Sequence, residues 1–329
     1  MATYKGIQGT AVQNYAGNIP NPVDGQVWYD STNADFKYQY PNLTTAGAWR
    51  TGGAMNTARW TLAGFGSQTA ALGAGGESPA GNEATTELYN GTSWTEVNDL
   101  NTAKQLVTGT GTQTAGLTIG GSAPPTPTGV AITESWNGSA WTEVADLNTA
   151  RRQLASAGIQ TAALAFGGGI PNKANTETWN GSSWTEVADL NTARSGLGGV
   201  GVSNTAALAF GGAGPTAITE SWNGTSWTEV ADLNTARNDI SGAGASNTSA
   251  LAFGGYPATA VTELWNGSAW TETTDLSTAR DGLGGAGTSS SAIAFGGGDA
   301  VPVKNATEEF TGAGQPVGAW STGGSLNTA

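Results

Sequence analysis

Short apolar runs alternate with polar turns along most of this chain. A representative unit, Ser195–Arg237, opens with small residues and continues into the apolar run Thr205–Gly212. It then ends in two short alternating segments around Asn223-Gly224. An apolar run between turn signals predicts a strand buried on both faces, and Asn-Gly between alternating segments predicts a hairpin. The pattern predicts four strands per unit, named a to d in chain order, and no helix.

The unit recurs with little change. Five nearly identical segments cover residues 86–104, 133–151, 176–194, 219–237 and 262–280. Their starts lie roughly 45 residues apart, a period typical of repeat architectures. Four short strands in a repeat of this length describe a propeller blade, so the sequence predicts an all-β, β-propeller fold.

Certain residues within the repeat resemble those of a known family. An apolar strand ends in Gly211-Gly212, Trp222 and Trp227 follow, and the unit closes on Arg237. This arrangement resembles kelch repeats and covers about residues 60–329. The near-identity of the copies and the leader around residues 1–38 resemble kelch-like repeat proteins and tail-fibre proteins of marine bacteriophages. The resemblance implies a kelch-like β-propeller carried by a virion.

The number of blades depends on where two similar segments pair. Six full repeats span residues 60–104, 105–151, 152–194, 195–237, 238–280 and 281–329, after a leader at residues 1–58. Trp49 in the leader and Trp320 in the last repeat occupy equivalent outer-strand positions. One arrangement is seven blades, the leader supplying a divergent blade from residues 4–12, 26–30, 35–40 and 48–51. The alternative is six blades plus a small N-terminal β module, which docks on the virion. We favour seven, because the last repeat already fills the sixth outer-strand position.

Composition excludes several classes of function. The chain has no Cys and no His, and its net charge is −13. It therefore lacks disulfides, Cys-ligated metals and the commonest general base, and it does not suit nucleic acid. No loop has the spacing of a calcium site, so we expect no metal and no cofactor. No apolar run is long enough for membrane insertion, and the N-terminus lacks a secretory signal.

The first candidate site is a basic series. Its members are Arg59, Lys104, Arg151, Arg194, Arg237 and Arg280. Each is expected to precede strand a, so together they could surround the mouth of the central channel and bind an anionic glycan. The structural alternative, which we favour, is that each cation fixes a blade junction by pairing with a loop acid such as Asp146, Asp189 or Asp232, or with strand carbonyls.

The second candidate site is the set of b–c loops. They cover residues 77–85, 122–131, 169–175, 213–218, 256–261 and 298–306, and they differ from one another while their surroundings repeat. They should share a face with the basic series, and loops on a rigid scaffold are common binding sites. Unconstrained drift would explain the variation equally well. Lys173, Tyr256 and Lys304 are their candidate contact residues.

The remaining repeated residues favour structural roles. The pairs Trp136/Trp141, Trp179/Trp184, Trp222/Trp227 and Trp265/Trp270 should pack at the rim, although they could stack on sugars. Asn90, Asn137, Asn180, Asn223 and Asn266 match the glycosylation pattern, but Asn-Gly turns explain them. Glu220 and Glu229 recur in most copies, unlike the single carboxylate pair of a glycosidase.

We therefore expect a non-enzymatic virion structural protein: a fibre, tail-tip or capsid-surface appendage made in the host cytoplasm. Its N-terminal region would contact other virion proteins, and its loop face would bind a host-surface glycan or protein. It is expected to be oligomeric in the particle. A kelch-type protein–protein interaction module is the alternative, and a carbohydrate-active propeller enzyme is a third hypothesis.

Overall fold

The structure is a computed structural model. It describes residues 13–16, 27–32, 35–38, 47–125, 128–298 and 303–313. Two compact units divide the chain: residues 1–45 with 313–329, and residues 46–312. All regular elements of the described residues are β-strands, which confirms the all-β prediction. The described part contains no helix that could span a membrane.

The smaller unit contains one three-stranded sheet. Its strands are β1 (Gln13–Tyr15), β2 (Val27–Asp30) and β3 (Asp35–Tyr38). β1 pairs parallel with β2, and β3 pairs antiparallel with β2. Two strands predicted for a seventh blade thus form, but in a sheet of their own. The other predicted strand of the leader's tip, residues 4–12, lies outside the described residues.

The larger unit consists of six four-stranded antiparallel sheets. It begins with β4 (Ala48–Thr51). Blade 1 contains β5 (Ala63–Ser67), β6 (Ala70–Ala74), the loop hairpin β7 (Glu77–Ser78) and β8 (Gly81–Asn82), β9 (Thr86–Tyr89) and β10 (Trp94–Glu96). Blade 2 contains β11 (Thr108–Thr112), β12 (Ala115–Ile119), β13 (Thr133–Trp136) and β14 (Trp141–Val144). Blade 3 contains β15 (Ala155–Ile159), β16 (Ala162–Phe166), β17 (Thr176–Trp179) and β18 (Trp184–Val187).

The last three blades repeat this order. Blade 4 contains β19 (Gly198–Ser203), β20 (Ala206–Phe210), β21 (Thr219–Trp222) and β22 (Trp227–Glu229). Blade 5 contains β23 (Ser241–Ser246), β24 (Ser249–Phe253), β25 (Thr262–Trp265) and β26 (Trp270–Glu272). Blade 6 contains β27 (Gly284–Thr288), β28 (Ser291–Phe295), β29 (Thr307–Thr311) and β4. The first strands contact one another in the closed order β5, β11, β15, β19, β23, β27 and back to β5. The larger unit is therefore a six-bladed β-propeller.

The N-terminal segment, and not the last repeat, supplies the outer strand of blade 6. β4 pairs antiparallel with β29, with Trp49 opposite Phe310 and Arg50 opposite Glu309. The repeat pattern predicted the segment around Trp320 for this position, and that segment lies outside the described residues. Because β4 occupies the position, no seventh blade is needed: the preference for seven was wrong, and the alternative of six is confirmed. The leader boundary also shifts, since residues 48–58 belong to the ring.

Strand b is the centre of each layer between blades. Leu208 and Phe210 of β20 are fully buried and pack with Trp265 and Trp270 of blade 5. The rings of Phe210 and Trp270 meet edge to face at 5.2 Å. Burial of each such aliphatic or aromatic side chain contributes about 1.5–3 kcal/mol, so apolar contact joins the blades.

Each outer-strand tryptophan also donates a hydrogen bond to the preceding blade. Trp227 Nε1 lies 3.1 Å from Thr176 Oγ1, and Trp49 Nε1 lies 3.2 Å from Thr262 Oγ1. The other four bonds join Trp94 to Thr307, Trp141 to Thr86, Trp184 to Thr133 and Trp270 to Thr219. Trp49 therefore completes a circle of such bonds around the ring, which explains why the leader carries the same motif.

Candidate functional site

The cation that ends each repeat is buried in the joint between two blades. The backbone carbonyl of Arg237 accepts a hydrogen bond from Gly212 N in blade 4, at 3.0 Å. Its guanidinium donates to Glu263 Oε1 in blade 5, at 2.8 Å. The equivalent ion pairs are Arg59–Glu87, Lys104–Glu134, Arg151–Glu177, Arg194–Glu220 and Arg280–Glu308. Each cation thus connects its own blade, through the backbone, to the next blade through the side chain.

The residues before each cation enclose the same carboxylate. Glu263 Oε2 accepts hydrogen bonds of 2.7 Å from both the backbone N–H and the side-chain amide of Asn234. Glu263 Oε1 accepts a longer one from Thr235 N, at 3.4 Å. The Gly-Gly pair permits this close packing: Gly211 has a φ of +67°, and a Cβ there would lie 2.6 Å from Arg237 O. The repeated Asn-Thr-Ala-Arg sequence therefore surrounds one buried glutamate carboxylate with hydrogen-bond donors.

This geometry corrects the predicted basic ring. All six cation side chains are at most 1% exposed, so they offer no surface to an anion. Burial lowers the pKa of each of them, and the partner glutamate opposes that shift. The structural alternative describes their role at the blade junction, but the acid partner is a strand c glutamate. Asp189 instead accepts the backbone N–H of Thr176, and Asp146 and Asp232 do the same in their blades.

The joint between blades 1 and 2 has fewer hydrogen bonds from its cation than the other joints. Lys104 Nζ forms a buried ion pair with Glu134 Oε1, at 3.2 Å. Arg151 at the next joint donates to its glutamate and also to the carbonyls of Gly167 and Asn175. A single ammonium cannot reproduce this branched set of donors, so the joint between blades 1 and 2 holds fewer bonds.

The tryptophan pairs and Asn-Gly triplets have the structural roles that the sequence favours. Trp222 and Trp227 lie opposite each other in register, with ring centroids 5.3 Å apart, and both are at least 95% buried. They leave no face on which a sugar could stack. Asn223 Oδ1 accepts hydrogen bonds from the backbone N–H groups of Thr225 and Ser226, both at 2.9 Å, as expected of a turn.

The b–c loops and the starts of the inner strands share one face of the ring, here called the variable-loop face. Tyr256 exchanges backbone hydrogen bonds with Asn238, the first residue after a buried cation. Its side chain is 52% exposed, and Ile170 of the blade 3 loop is 55% exposed. Lys173 and Lys304 are partly exposed in their loops. Loop residues 126–127 and 299–302 lie outside the described residues.

A ring of six residues surrounds the axis at the same face. Its members, here called the axial ring, are Thr61, Leu106, Gln153, Gly196, Asp239 and Gly282. Five backbone N–H···O=C bonds of 2.6–3.1 Å link neighbouring members of the ring, in the order Thr61, Gly282, Asp239, Gly196, Gln153 and Leu106. All six have φ between 47° and 63°, although only two are glycine. Non-glycine residues in this region each cost about 1 kcal/mol or more, so the four exceptions are retained against a conformational cost.

The axial ring opens into a cavity of about 130 Å³. The three residues that follow each axial residue form its wall, which combines aliphatic side chains with small residues and exposed backbone. Thr108 and Ser156 contribute hydroxyl groups, which lie 2.9 Å apart across neighbouring blades. The cavity is therefore mixed in polarity, and the side chains at its mouth differ between blades.

Asp239 is the single acid of the axial ring. Gln153 Nε2 donates to its Oδ1 and Asn238 Nδ2 donates to its Oδ2, both at 3.0 Å. The bond from Gln153 passes over blade 4, where Gly196 has no side chain; a Cβ there would lie 2.8 Å from Asp239 Oδ1. Burial raises the pKa of Asp239, and the Gln153 hydrogen bond lowers it in part; no charged group in the described residues contributes.

The axial ring was not predicted from the sequence, although a signal was present. The two residues after each cation vary in every copy: Trp60-Thr61, Gln105-Leu106, Arg152-Gln153, Ser195-Gly196, Asn238-Asp239 and Asp281-Gly282. The next residue is always Leu, Val or Ile and is buried. Variation between two invariant flanks marks positions that the scaffold does not fix, as in the b–c loops.

Within the described residues, no three acidic side chains cluster as a metal site would require. The sequence matches no family model, and no curated protein matches it. The larger unit is a six-bladed β-propeller, a fold suited to protein interaction, whose axial residues and b–c loops differ between blades.

Proposed function

We propose that this chain is a non-enzymatic structural protein of a phage virion that presents its propeller for attachment to a host surface. The observation that supports the binding role is that the repeated residues and the variable residues lie in different parts of the ring. The joint residues are nearly the same in every blade and are buried, whereas the axial ring and b–c loops differ and reach one face. Such a face, held by a rigid scaffold, suits recognition of a host glycan or protein.

The virion assignment rests on the resemblance of the leader and of the kelch-like copies to phage proteins. In this proposal the sheet of the smaller unit contacts other virion proteins, and several copies in one particle add avidity. The first test is the protein composition of purified particles from the source. Peptides of this chain at structural stoichiometry are expected; their absence from the particles would refute the virion assignment.

The binding role has a separate test with the full chain. The double substitution Ile170→Ser/Tyr256→Ser removes two exposed apolar side chains from the variable-loop face. Ile159→Ser/Val202→Ser is the matched control, because Ile159 and Val202 are 43% and 56% exposed near the opposite ends of the inner strands. We expect the first variant to bind host cells at least about tenfold more weakly and the control to bind normally. Equal binding by both variants would contradict use of this face.

A kelch-type protein–protein interaction module is the second candidate. Two exposed apolar side chains, Tyr256 and Ile170, on one face favour a protein partner over a purely polar ligand. This candidate predicts a soluble complex in infected cells and no incorporation into particles. Cross-linking in infected lysate and in purified virions distinguishes the two.

A further inference from the structure

We propose that the mouth of the central channel binds a primary ammonium group on a short alkyl chain, with the Asp239 carboxylate as its counter-ion. The site is the axial ring and the cavity beneath it. It holds whether or not the chain is a virion component, because it rests only on residues of the ring.

The Asp239 carboxylate at the mouth favours a cationic ligand. Asp239 is the only ionisable member of the axial ring, and no charged neighbour in the described residues influences it. Its carboxylate receives only two neutral amide donors, from Gln153 and Asn238. A partly desolvated carboxylate without a cation is unfavourable, and an ammonium ligand would offset that cost with charge-assisted hydrogen bonds.

Two oxygen atoms at or next to the axial ring can accept a further hydrogen bond. Thr61 Oγ1 and Asn238 Oδ1 are buried and have no hydrogen-bond partner among the described residues. The Gln153 amide and the Asp239 carboxylate, which contact each other, carry further acceptor oxygens. An ammonium group has three donors and no acceptor, so it matches this set. A divalent metal would instead need more carboxylates, and the described residues cluster no such group.

The cavity sets the size of the ligand. A cavity of about 130 Å³ admits only a small ligand. Small residues such as Ala63 and Gly64 line it, together with exposed backbone and the hydroxyls of Thr108 and Ser156. A short, unbranched alkyl chain fits between these small residues. The same chemistry occurs in a free alkylamine and in a lysine side chain of a partner protein.

Backbone strain supports a functional reason for these side chains. Thr61, Leu106, Gln153 and Asp239 occupy a conformation that glycine adopts at the same position in blades 4 and 6. Glycine would relieve the strain at all four positions. Their side chains therefore contribute something that a glycine could not, and strained residues of this kind concentrate at binding sites.

The test is calorimetric titration of the full chain with n-butylammonium, with n-butanol as a ligand of similar shape without charge. We expect n-butylammonium to bind and n-butanol to bind at least about tenfold more weakly, the difference of one charge-assisted contact. Asp239→Asn should weaken n-butylammonium at least about tenfold. Glu229→Gln removes one exposed charge at the rim and should leave the affinity unchanged. Equal affinity in wild type and Asp239→Asn would overturn the proposal.

Two further arms remove alternative explanations. Asp239→Gly introduces the residue that blades 4 and 6 have at the same position, where it adopts a positive φ. This variant should therefore fold even if Asp239→Asn does not. It should lose ammonium binding equally. Calcium chloride in place of n-butylammonium should give no Asp239-dependent signal; a stronger calcium signal would overturn the ammonium assignment. A short lysine peptide separates the sources: binding of the peptide alone assigns the group to a protein partner, and binding of n-butylammonium admits a free amine.

Discussion

The joints between blades make a quantitative prediction about stability. Glu220 is fully buried and accepts four hydrogen bonds: from Asn191 N at 2.7 Å, from Asn191 Nδ2 at 2.8 Å, from Thr192 N at 3.4 Å, and from the Arg194 guanidinium. Glu220→Gln keeps the shape but removes the charge. It leaves a buried guanidinium without a counter-ion and turns one amide towards the donors of Asn191.

The expected loss follows from this geometry. Breaking a buried ion pair by removing one partner costs about 3–5 kcal/mol, since the remaining charge stays desolvated. We expect Glu220→Gln to lower the free energy of unfolding by that amount. Replacing both partners, as Arg194→Leu/Glu220→Leu, should recover only part of the loss: no unpaired charge then remains, but Asn191 and Thr192 lose their acceptor.

Urea unfolding followed by tryptophan fluorescence measures these changes, with an unchanged denaturant slope showing that the same surface unfolds. Glu229→Gln is the matched control: Glu229 lies opposite Glu220 in register but is exposed. A change within about 0.5 kcal/mol is expected there. If Glu220→Gln also changed the free energy of unfolding by less than about 1 kcal/mol, the buried ion pairs would not be what stabilises the joints.

Three further predictions follow from the same structure. Lys104→Arg should stabilise the ring by about 1 kcal/mol in urea unfolding, by restoring the branched donors of the other joints; a loss of stability would contradict this. Deletion of residues 1–44 should leave a folded, monomeric ring by light scattering, because β4 is retained. Trp49→Ala should lower the free energy of unfolding by about 3 kcal/mol, because it loosens the outer strand of blade 6. Unchanged stability of Trp49→Ala would argue against closure by β4. Asp239→Asn should raise the melting temperature at pH 7, because the pKa of Asp239 is raised in the folded state and its ionised form is disfavoured there. That gain should vanish near pH 3, where the carboxyl is protonated in both states, and a gain independent of pH would refute the cause.

Local pattern was enough to predict the blades. The pairing of Trp222 with Trp227 depends only on an Asn-Gly turn between alternating segments, and burial of Phe210 depends on its apolar run. These features span few residues, so neighbouring sequence determines them. The period then predicted a ring of such units, which the structure confirms.

The candidate site was predicted only in part. The b–c loops were identified as variable, and Tyr256 is exposed as expected for a contact residue. For the basic series, the sequence favoured a role at the blade junctions over a binding ring, but it named loop acids as partners. The partner of Arg194 is instead Glu220, in strand c of the next repeat. The sequence repeats both residues but does not state which of several acids the guanidinium reaches.

The axial ring depends on still longer distances. Gln153 and Asp239 belong to blades 3 and 5 and meet only because Gly196 leaves space between them. Nothing in either segment marks the other as a neighbour. Only convergence of six inner strands on one axis brings such residues together.

By itself, the sequence determined the strands, the hairpins, the period and the invariant residues of the joints, because each depends on local backbone preference and on alternation of apolar and polar positions. Tertiary structure decided the number of blades, the use of β4 to close the ring and the place of Asp239 at its axis. These features depend on contacts between residues far apart in the chain, and the chain contains two similar closing segments between which local preference cannot choose.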